Sequence, residues 1–432
     1  MRLSDYNRPL SGLLAAQLGL KTTQQNLSNI HTPGYVRQMV NYGSIGSSRG
    51  DTPEQRIGNG VQTLSIDRVT DEVKTKQYNE QFSQLSYYSY MNSTLGRVES
   101  MVGTTGPNSL SSLMDGFFNS FREVAKNPEQ PNYYDTLIAG TNKFTNQVNR
   151  LAKNLDTAET QTAEDIEGHV NEFNRLATNL AEANKKIGQA GSPVPNQLLD
   201  ERDRIITDMS QYANIEVSYE SMNPNIASVR ISGSLTVSGQ DTYPLQLKKD
   251  QEPYKVQISG KDISLNGGSI SAAIDTKAKI ADYKKDFQEL MIAVKDQVNT
   301  VMKKDFFIGD HARNIQLNPD FIKDVSKMKI SADTANQLAR VTDQPYKNGL
   351  SYKQTLDKFL VGIASDKNAA SAFKDIHGDL LQGIEQEKMS IEGVNMEEEM
   401  VNLMAFQKYF VANSKAITTI NEVFDSLFSI IR

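Results

Sequence analysis

The sequence predicts a mainly α protein with a small β module: long antiparallel helical rods, a coiled-coil helix at each terminus and one inserted β domain. Three observations predict it. Apolar residues recur at three-four spacing near both ends and, in the longest run, from Leu137 to Ile187. A single segment, Asn214 to about Gly268, changes to period-two alternation. Gly- and Pro-rich breaks fall between these blocks and not inside them.

Taken in order, the N-terminal seam is Leu3, Tyr6, Leu10, Leu13, Leu20 and Leu27, with Gln17 and Gln24 filling the same stripe. Such repetition marks a helix that lies along a partner helix. It meets the stretch "NLSNIHTPGYVRQ" and stops. Pro33 pushes Thr32 out of helical geometry, and Gly34 can take the positive φ of a tight reversal. The helix is expected to end near Asn29–His31, with the chain redirected at Pro33 and Gly34. Tyr35 to Val69 reads as a long loop with short strands. A helix follows with Val73, Tyr78, Phe82, Leu85, Tyr88, Met91, Leu95 and Val98 on one face. A shorter one carries Leu110, Leu113, Met114, Phe117, Phe121 and Val124 and ends at "NPEQP".

The long central seam steps by three and four as far as Thr162, then by four and four. That is a stutter, which locally unwinds a coiled coil. "GQAGSPVPNQ" breaks it, and "QLLDERDRIITDMSQYA" reads as one further helix. After the β pieces, helix resumes at Ile274, Ile280, Phe287, Leu290, Val294, Val298 and Val301. A loop-rich stretch with "LNPDFI" precedes helical texture from Tyr352 to Glu387. The C-terminal seam is Leu403, Phe406, Phe410, Asn413, Ile417, Ile420, Phe424, Leu427 and Ile431. From Met396 to Arg432 such a helix is about 50 Å long.

The order is nested. The expected division is 1–70 with 390–432 as terminal helices and connector, 71–213 with 269–389 as a discontinuous rod domain, and 214–268 as the outer β domain. A bare two-helix pair buries little apolar surface. Leu10, Leu13, Leu20, Leu27, Leu403, Phe406, Phe410, Ile417, Ile420, Phe424, Leu427 and Ile431 are therefore the candidate assembly seam. Leu14, Leu18, Phe428 and Ile430 are expected to face outward.

Composition narrows the function. The 432 residues carry a formal net charge of only −6, which argues against nucleic acid as the main partner. Without cysteine there are no disulfides, thiol nucleophiles or zinc–thiolate sites. No apolar run is long enough to span a bilayer, and the N-terminus lacks the pattern of a Sec signal. The four histidines are scattered without metal spacing, and no nucleotide-binding or hydrolase motif occurs. "LLDERDR" clusters Asp200, Glu201 and Asp203, which read as solvated helix charges with weak ion pairs. Glu397–Glu399 read as acids favoured by a helix N-terminus. No enzyme, metal or cofactor is expected.

"SGLLAAQLGLKTTQQNLSNIHTPGYVRQ" resembles the N-terminal motif of bacterial flagellar axial proteins, in which Gly-Tyr precedes an Arg-Gln pair. "GVNMEEEMVNLMAFQKYFVANSKAITTINEVFDSLFSIIR" is similar to their C-terminal helix. "NPEQPNYYDTLIAGTNKFTNQVNRLAKNL" and "SPVPNQLLDERDRIITDMSQYANIEV" resemble the flagellar hook-associated protein 1 family, as do "GGSISAAID" and "IEGVN". Gln197 departs from the family, where an acidic residue is usual, and the β insert is small. The resemblance implies an extracellular structural subunit of the hook–filament junction. It would be exported by the flagellar type III system and assembled at the hook tip. Implied partners are copies of itself, the hook protein, a second junction protein and an export chaperone on the C-terminal helix, with no membrane. The alternative is a type III secretion translocator or other membrane-active secreted protein, since amphipathic termini can lie on bilayers.

Overall fold

The computed structural model describes residues 3–46, 58–103, 106–250 and 252–431, without the side chains of 3–5, 428, 430 and 431. Helix α1 (Leu3–Ser28) leads through a connector to a hairpin of β1 (Gln38–Ile45) and β2 (Gly60–Arg68). Then come α2 (Glu72–Val102), α3 (Leu110–Lys126), α4 (Pro131–Gln189) and α5 (Asn196–Ser210). Seven strands follow: β3 (Glu216–Tyr219), β4 (Ala227–Ile231), β5 (Ser234–Ser238), β6 (Asp241–Thr242), β7 (Leu245–Lys248), β8 (Lys255–Ile258) and β9 (Lys261–Ile263). The chain returns through α6 (Gly268–Met302), α9 (Tyr352–Glu392) and α10 (Met396–Ile431). Between α6 and α9 lie β10 (Phe307–Ile308), β11 (Gln316–Leu317), α7 (Pro319–Lys323), α8 (Ala332–Ala339), β12 (Pro345–Lys347) and β13 (Leu350–Ser351).

The rods are α2 along α9 and α4 along α6, with α2 also against α6. Both pairs are antiparallel, as cross-links show: Gln81 meets His377 and Tyr88 stacks on Phe373, while Lys284 reaches Asp156 and Lys277 reaches Glu159. Helix α4, 59 residues long, is the spine. Pro131 starts it, needing no N–H at that position. All the apolar seam positions expected from Leu137 to Ile187 are buried. At the stutter, the buried Thr162 hydroxyl donates to the Ala158 carbonyl at 2.8 Å, so its polar atom stays satisfied within the helix.

Two hydrophobic cores are strung along this spine. One joins α3, the N-terminal half of α4, the C-terminal half of α6 and the segment 306–341 around a nest of rings, Phe117, Phe121, Phe144, Phe306 and Phe307. The other packs the β strands on the C-terminal half of α4, on α5 and on the start of α6. The strands form two antiparallel sheets, β3-β4-β5-β6 and β7-β8-β9. Each is clasped by an asparagine of α4. Asn184 accepts from the Ala227 N–H at 3.0 Å and donates to the Ala227 and Gly239 carbonyls at 2.8 Å. Asn174 makes the same reciprocal pair with Leu245. Both satisfy strand backbone that would otherwise be buried unpaired. This core crosses position 214, so the strands and the helix beneath them are one packing unit.

Three local expectations change. Residues 303–351 are not simply loop: their short elements place Phe306, Phe307, Phe321, Met328, Leu338 and Val341 in the first core. Elements of two to eight residues hold their shape by burial and leave no periodic trace. In α2 the first half turns Asn79 and Ser83 inward and leaves Val73 exposed, because α5 presses on that side; Thr207 Oγ1 donates to Asn79 Oδ1 at 3.2 Å. Helix α9 continues to Glu392, past the expected Glu387.

Phe173 is fully buried where α4 meets the strands. Phe173→Ala should destabilise the folded chain by about 3–5 kcal/mol in urea titrations. Met222→Ala, at a fully exposed loop position, should stay within about 0.5 kcal/mol of the parent.

Candidate assembly surface and its joint to the rods

The two ends of the chain lie side by side. Helix α1 packs along α10, and the pair is antiparallel, with Gly12 beside Asn413 and Gly19 beside Phe406. A Cβ added at either glycine would fall 2.6 Å from the facing side chain, so any larger residue there would have to displace Asn413 or Phe406. The buried positions of α1 are Ala15, Ala16, Gly19, Thr22, Thr23 and Asn26. The leucine seam lies beside this small-residue face: Leu10, Leu13, Leu20 and Leu27 are half-buried, and Gln17 and Gln24 are exposed. On α10, Phe406 and Asn413 of the seam lie against α1, and Leu403, Phe410, Ile417, Ile420 and Phe424 are half-buried. Leu427 is exposed. The side chains of Ile431, Leu3, Phe428 and Ile430 lie outside the described residues. Leu14 faces outward and Leu18 is half-buried.

Beyond its first turn, much of the other side of α10 is open to solvent. Met400, Val401, Met404, Tyr409, Val411 and Val423 are all exposed. Val401, Ala405, Ala412, Ala416 and Val423 recur at helical spacing on one side of it. A second, shorter stripe, Phe373, Ile376 and Leu380, is exposed on α9. Exposed apolar strips of this extent mark interaction surfaces.

The reversal after α1 is built around Asn26. Its side chain donates to the Gln38 carbonyl at 2.9 Å and accepts from the Gln38 N–H at 3.0 Å and the Tyr35 hydroxyl at 2.8 Å. Pro33 is exposed and Gly34 takes φ +79°. The Tyr35 hydroxyl is pushed up to about 12, by burial first and then by the Asp200 and Glu399 charges, so it stays a donor. The β1–β2 hairpin then folds back onto α1. Ser11 Oγ accepts from the Val61 N–H at 3.1 Å, Arg8 Nε donates to the Gly58 carbonyl at 2.9 Å, and the Tyr42 ring leans on Phe406.

Charges join this unit to the rods. Arg37 reaches Glu399 at 2.8 Å and Glu398 at 3.1 Å in the first turn of α10, and Glu399 is buried. The acids thus have a specific cation in addition to the helix N-terminus. At the same open end of the hairpin, cross-strand from Gln38, Arg68 sits 2.8 Å from both Asp200 and Asp203 of α5, its side chain only 7% exposed. The Nε–Oδ1 approach to Asp200 is off the N–H axis, an ion pair and not an aligned hydrogen bond. Asn196 Nδ2 donates to the Ile66 carbonyl at 3.1 Å beside it. The expected solvated cluster in "LLDERDR" is therefore corrected: Asp200 and Asp203 are half-sunk partners of an arginine from a distant segment. Spacing on one helix could not reveal that partner. Among the described residues no group of three or more His, Asp or Glu could hold a metal, and no helix is long and apolar enough to cross a membrane.

Burial raises the Asp200 carboxyl to about 6; Arg68 pulls the other way and Asp203 adds to the rise. The folded state therefore binds that proton more tightly than the unfolded state. Its contribution to stability is fully present below the ordinary carboxylate range and is lost as pH rises through about 6. Other carboxylates act in the opposite sense, so the readout is a difference. Relative to Asp200→Asn, the parent should lose stability between pH 4 and pH 6 in urea titrations and run parallel to the variant above about pH 7.

Comparison with known proteins gives the following likenesses. The model of the flagellar hook-associated protein FlgK helical domain matches residues 95–317, and that of the flagellar basal body rod FlgEFG C-terminal region matches residues 385–430. Flagellar hook-associated protein 1 of Escherichia coli K12 is 24% identical, over 99% of this chain and 100% of that one. Its counterpart from Salmonella typhimurium is 25% identical over 87% of this chain and 71% of the relative. That of Bacillus subtilis is 27% identical over 63% and 55%. The solved structure of the flagellar hook junction protein FlgK from Burkholderia pseudomallei aligns with 52% of this chain and 43% of that one, at 21% identity and a TM-score of 0.47. With its helical domain matched over more than half its length, the chain belongs to the flagellar hook-associated protein FlgK family, a family of structural flagellar proteins.

Proposed function

We propose that this protein is a structural subunit of the junction between hook and filament, exported by the flagellar type III system and assembled outside the cell at the hook tip. The observation that carries the reading is α10: one side is closed on α1, and the other presents Met400, Val401, Met404, Tyr409, Val411 and Val423 to solvent. Burial between copies removes that surface from water. In this reading residues 1–70 with 390–432 form the inner layer, 71–213 with 269–389 the rods around it, and 214–268 the outward-facing β domain. Pro33 and Gly34 turn the chain from the inner layer towards the next. The seam residues hold α10 to α1, and the exposed side meets neighbouring copies, the hook protein and the second junction protein. Before assembly the same exposed side is the surface an export chaperone would cover.

Two substitutions on α10 separate folding from assembly. Val411 is exposed, so Val411→Asp should leave the urea midpoint of the purified chain unchanged. In assembly it places a carboxylate in an apolar contact at a cost of a few kcal/mol per interface, and swimming and hook-tip addition should be lost. Ile420 is half-buried, so Ile420→Asp should impair both. Normal filaments on hooks built with Val411→Asp would overturn the proposed interface.

A further inference from the structure

The chain passes between the terminal helices and the rods twice, and both passages run by one side chain. Outward, Val69–Asp71 leads from β2 into α2; on return, Gly393–Asn395 leads from α9 into α10. Glu392, the last residue of α9, is 4% exposed. Its Oε1 accepts from the Asp71 N–H at 2.9 Å and lies 3.4 Å from Thr75 Oγ1. Its Oε2 is 3.1 Å from Lys388 Nζ, and that ammonium also lies over the Tyr78 ring of α2. Its backbone carbonyl accepts from the Arg37 N–H at 2.9 Å. The Arg37 carbonyl in turn accepts from the Val69 N–H, and its guanidinium holds Glu398 and Glu399 at the start of α10. One residue thus ties the connector after α1, the start of α2, the end of α9 and, through Arg37, the start of α10.

We infer that Glu392 is a positioning residue that sets the angle at which the α1–α10 pair leaves the rods. Two covalent crossings alone leave a pivot. The Arg68 pair with α5 holds the open end of the hairpin, where Arg68 faces Gln38, and Glu392 holds the adjoining Arg37 and Asp71 backbone against α9, a second contact on a different helix. A buried carboxylate suits this role better than an apolar side chain. It accepts from backbone and side chain together, and an off-angle arrangement leaves it unpaired at a large cost. Resting on the junction role proposed above, the fixed angle lets every copy present its terminal pair to its neighbours in the same orientation.

The chain has no cysteine, so paired spin labels can be placed cleanly at exposed positions of the full-length protein. Lys408→Cys with Lys153→Cys reports α10 against α4; Lys153→Cys with Lys358→Cys reports α4 against α9 within the rods. With Glu392 intact both pairs should give a single narrow distance. Glu392→Ala should lose the single population for the first pair only. Glu392→Gln, which keeps an acceptor oxygen for the Asp71 N–H, should restore it. A first pair unchanged in Glu392→Ala, or already broad in the parent, overturns the inference. Broadening of both pairs makes Glu392 an ordinary stabilising residue and overturns it as well. The consequence for assembly is read separately by swimming. Glu392→Ala with a broadened first pair and normal filaments would refute the link to assembly while leaving the junction role, tested by Val411→Asp, untouched.

Discussion

The close approach of α1 and α10 is the constraint from which the remaining architecture follows. Gly12 and Gly19 carry no side chain where Asn413 and Phe406 come in, and the two ends of the chain are thereby held together. Everything between them must leave this pair and return to it. The antiparallel α2–α9 and α4–α6 pairs are that excursion; its far end is the core of α3 and residues 306–341, and the β strands pack on α5, beside the hairpin. Discontinuous packing units are a consequence of closing the ends first in space though last in sequence. The same approach spends the small-residue side of α1 on an internal contact and leaves one side of α10 uncovered, so the surface available to neighbours is set by which side the glycines occupy.

Helix α4 solves a different problem. A 59-residue helix cannot be buried in one core, so it threads two. The first is dense with rings and draws on α3, α6 and short elements from the return path. The second faces strands, whose backbone groups need partners where they abut a helix. Asn174 and Asn184 supply them. The stutter near Thr162 falls between the two cores, where the seam is smallest and a hydroxyl can be kept inside by bonding its own helix.

Polar chemistry is concentrated at the joint between the terminal pair and the rods. Arg68 and Glu399 are buried there and paired, and Glu392 is satisfied by backbone and by Lys388. Buried pairs contribute modestly to net stability because desolvation offsets their attraction, but a single wrong geometry leaves a charge uncompensated. That asymmetry favours orientation over strength. An apolar joint of equal area would tolerate sliding more readily. Raising Asp200 to about 6 is the measurable trace of the desolvation.

Much of this was legible in the residues alone. Periodicity is a property of one segment, so the helices, the long buried seam of α4, the β segment and the break at Pro33-Gly34 could be read without knowing what each element touches. The α10 seam was legible for the same reason, whereas the exposed apolar residues opposite it, such as Val401 and Val411, did not stand out. What only the tertiary structure decided is which segments meet. Leucines drew attention on α1, yet Gly12, Ala16 and Gly19 make the contact, because close packing there is achieved by absence of side chain and gives no hydrophobic signal. Asp200 and Asp203 read as solvated until Arg68 arrived from a segment more than a hundred residues away. Asn26, Asn184 and Glu392 looked like ordinary polar residues in helices; each is decisive because of a backbone group brought to it by the fold. A hydrophobic pattern is written in one stretch of sequence, whereas a polar partner is defined only by a distance in space.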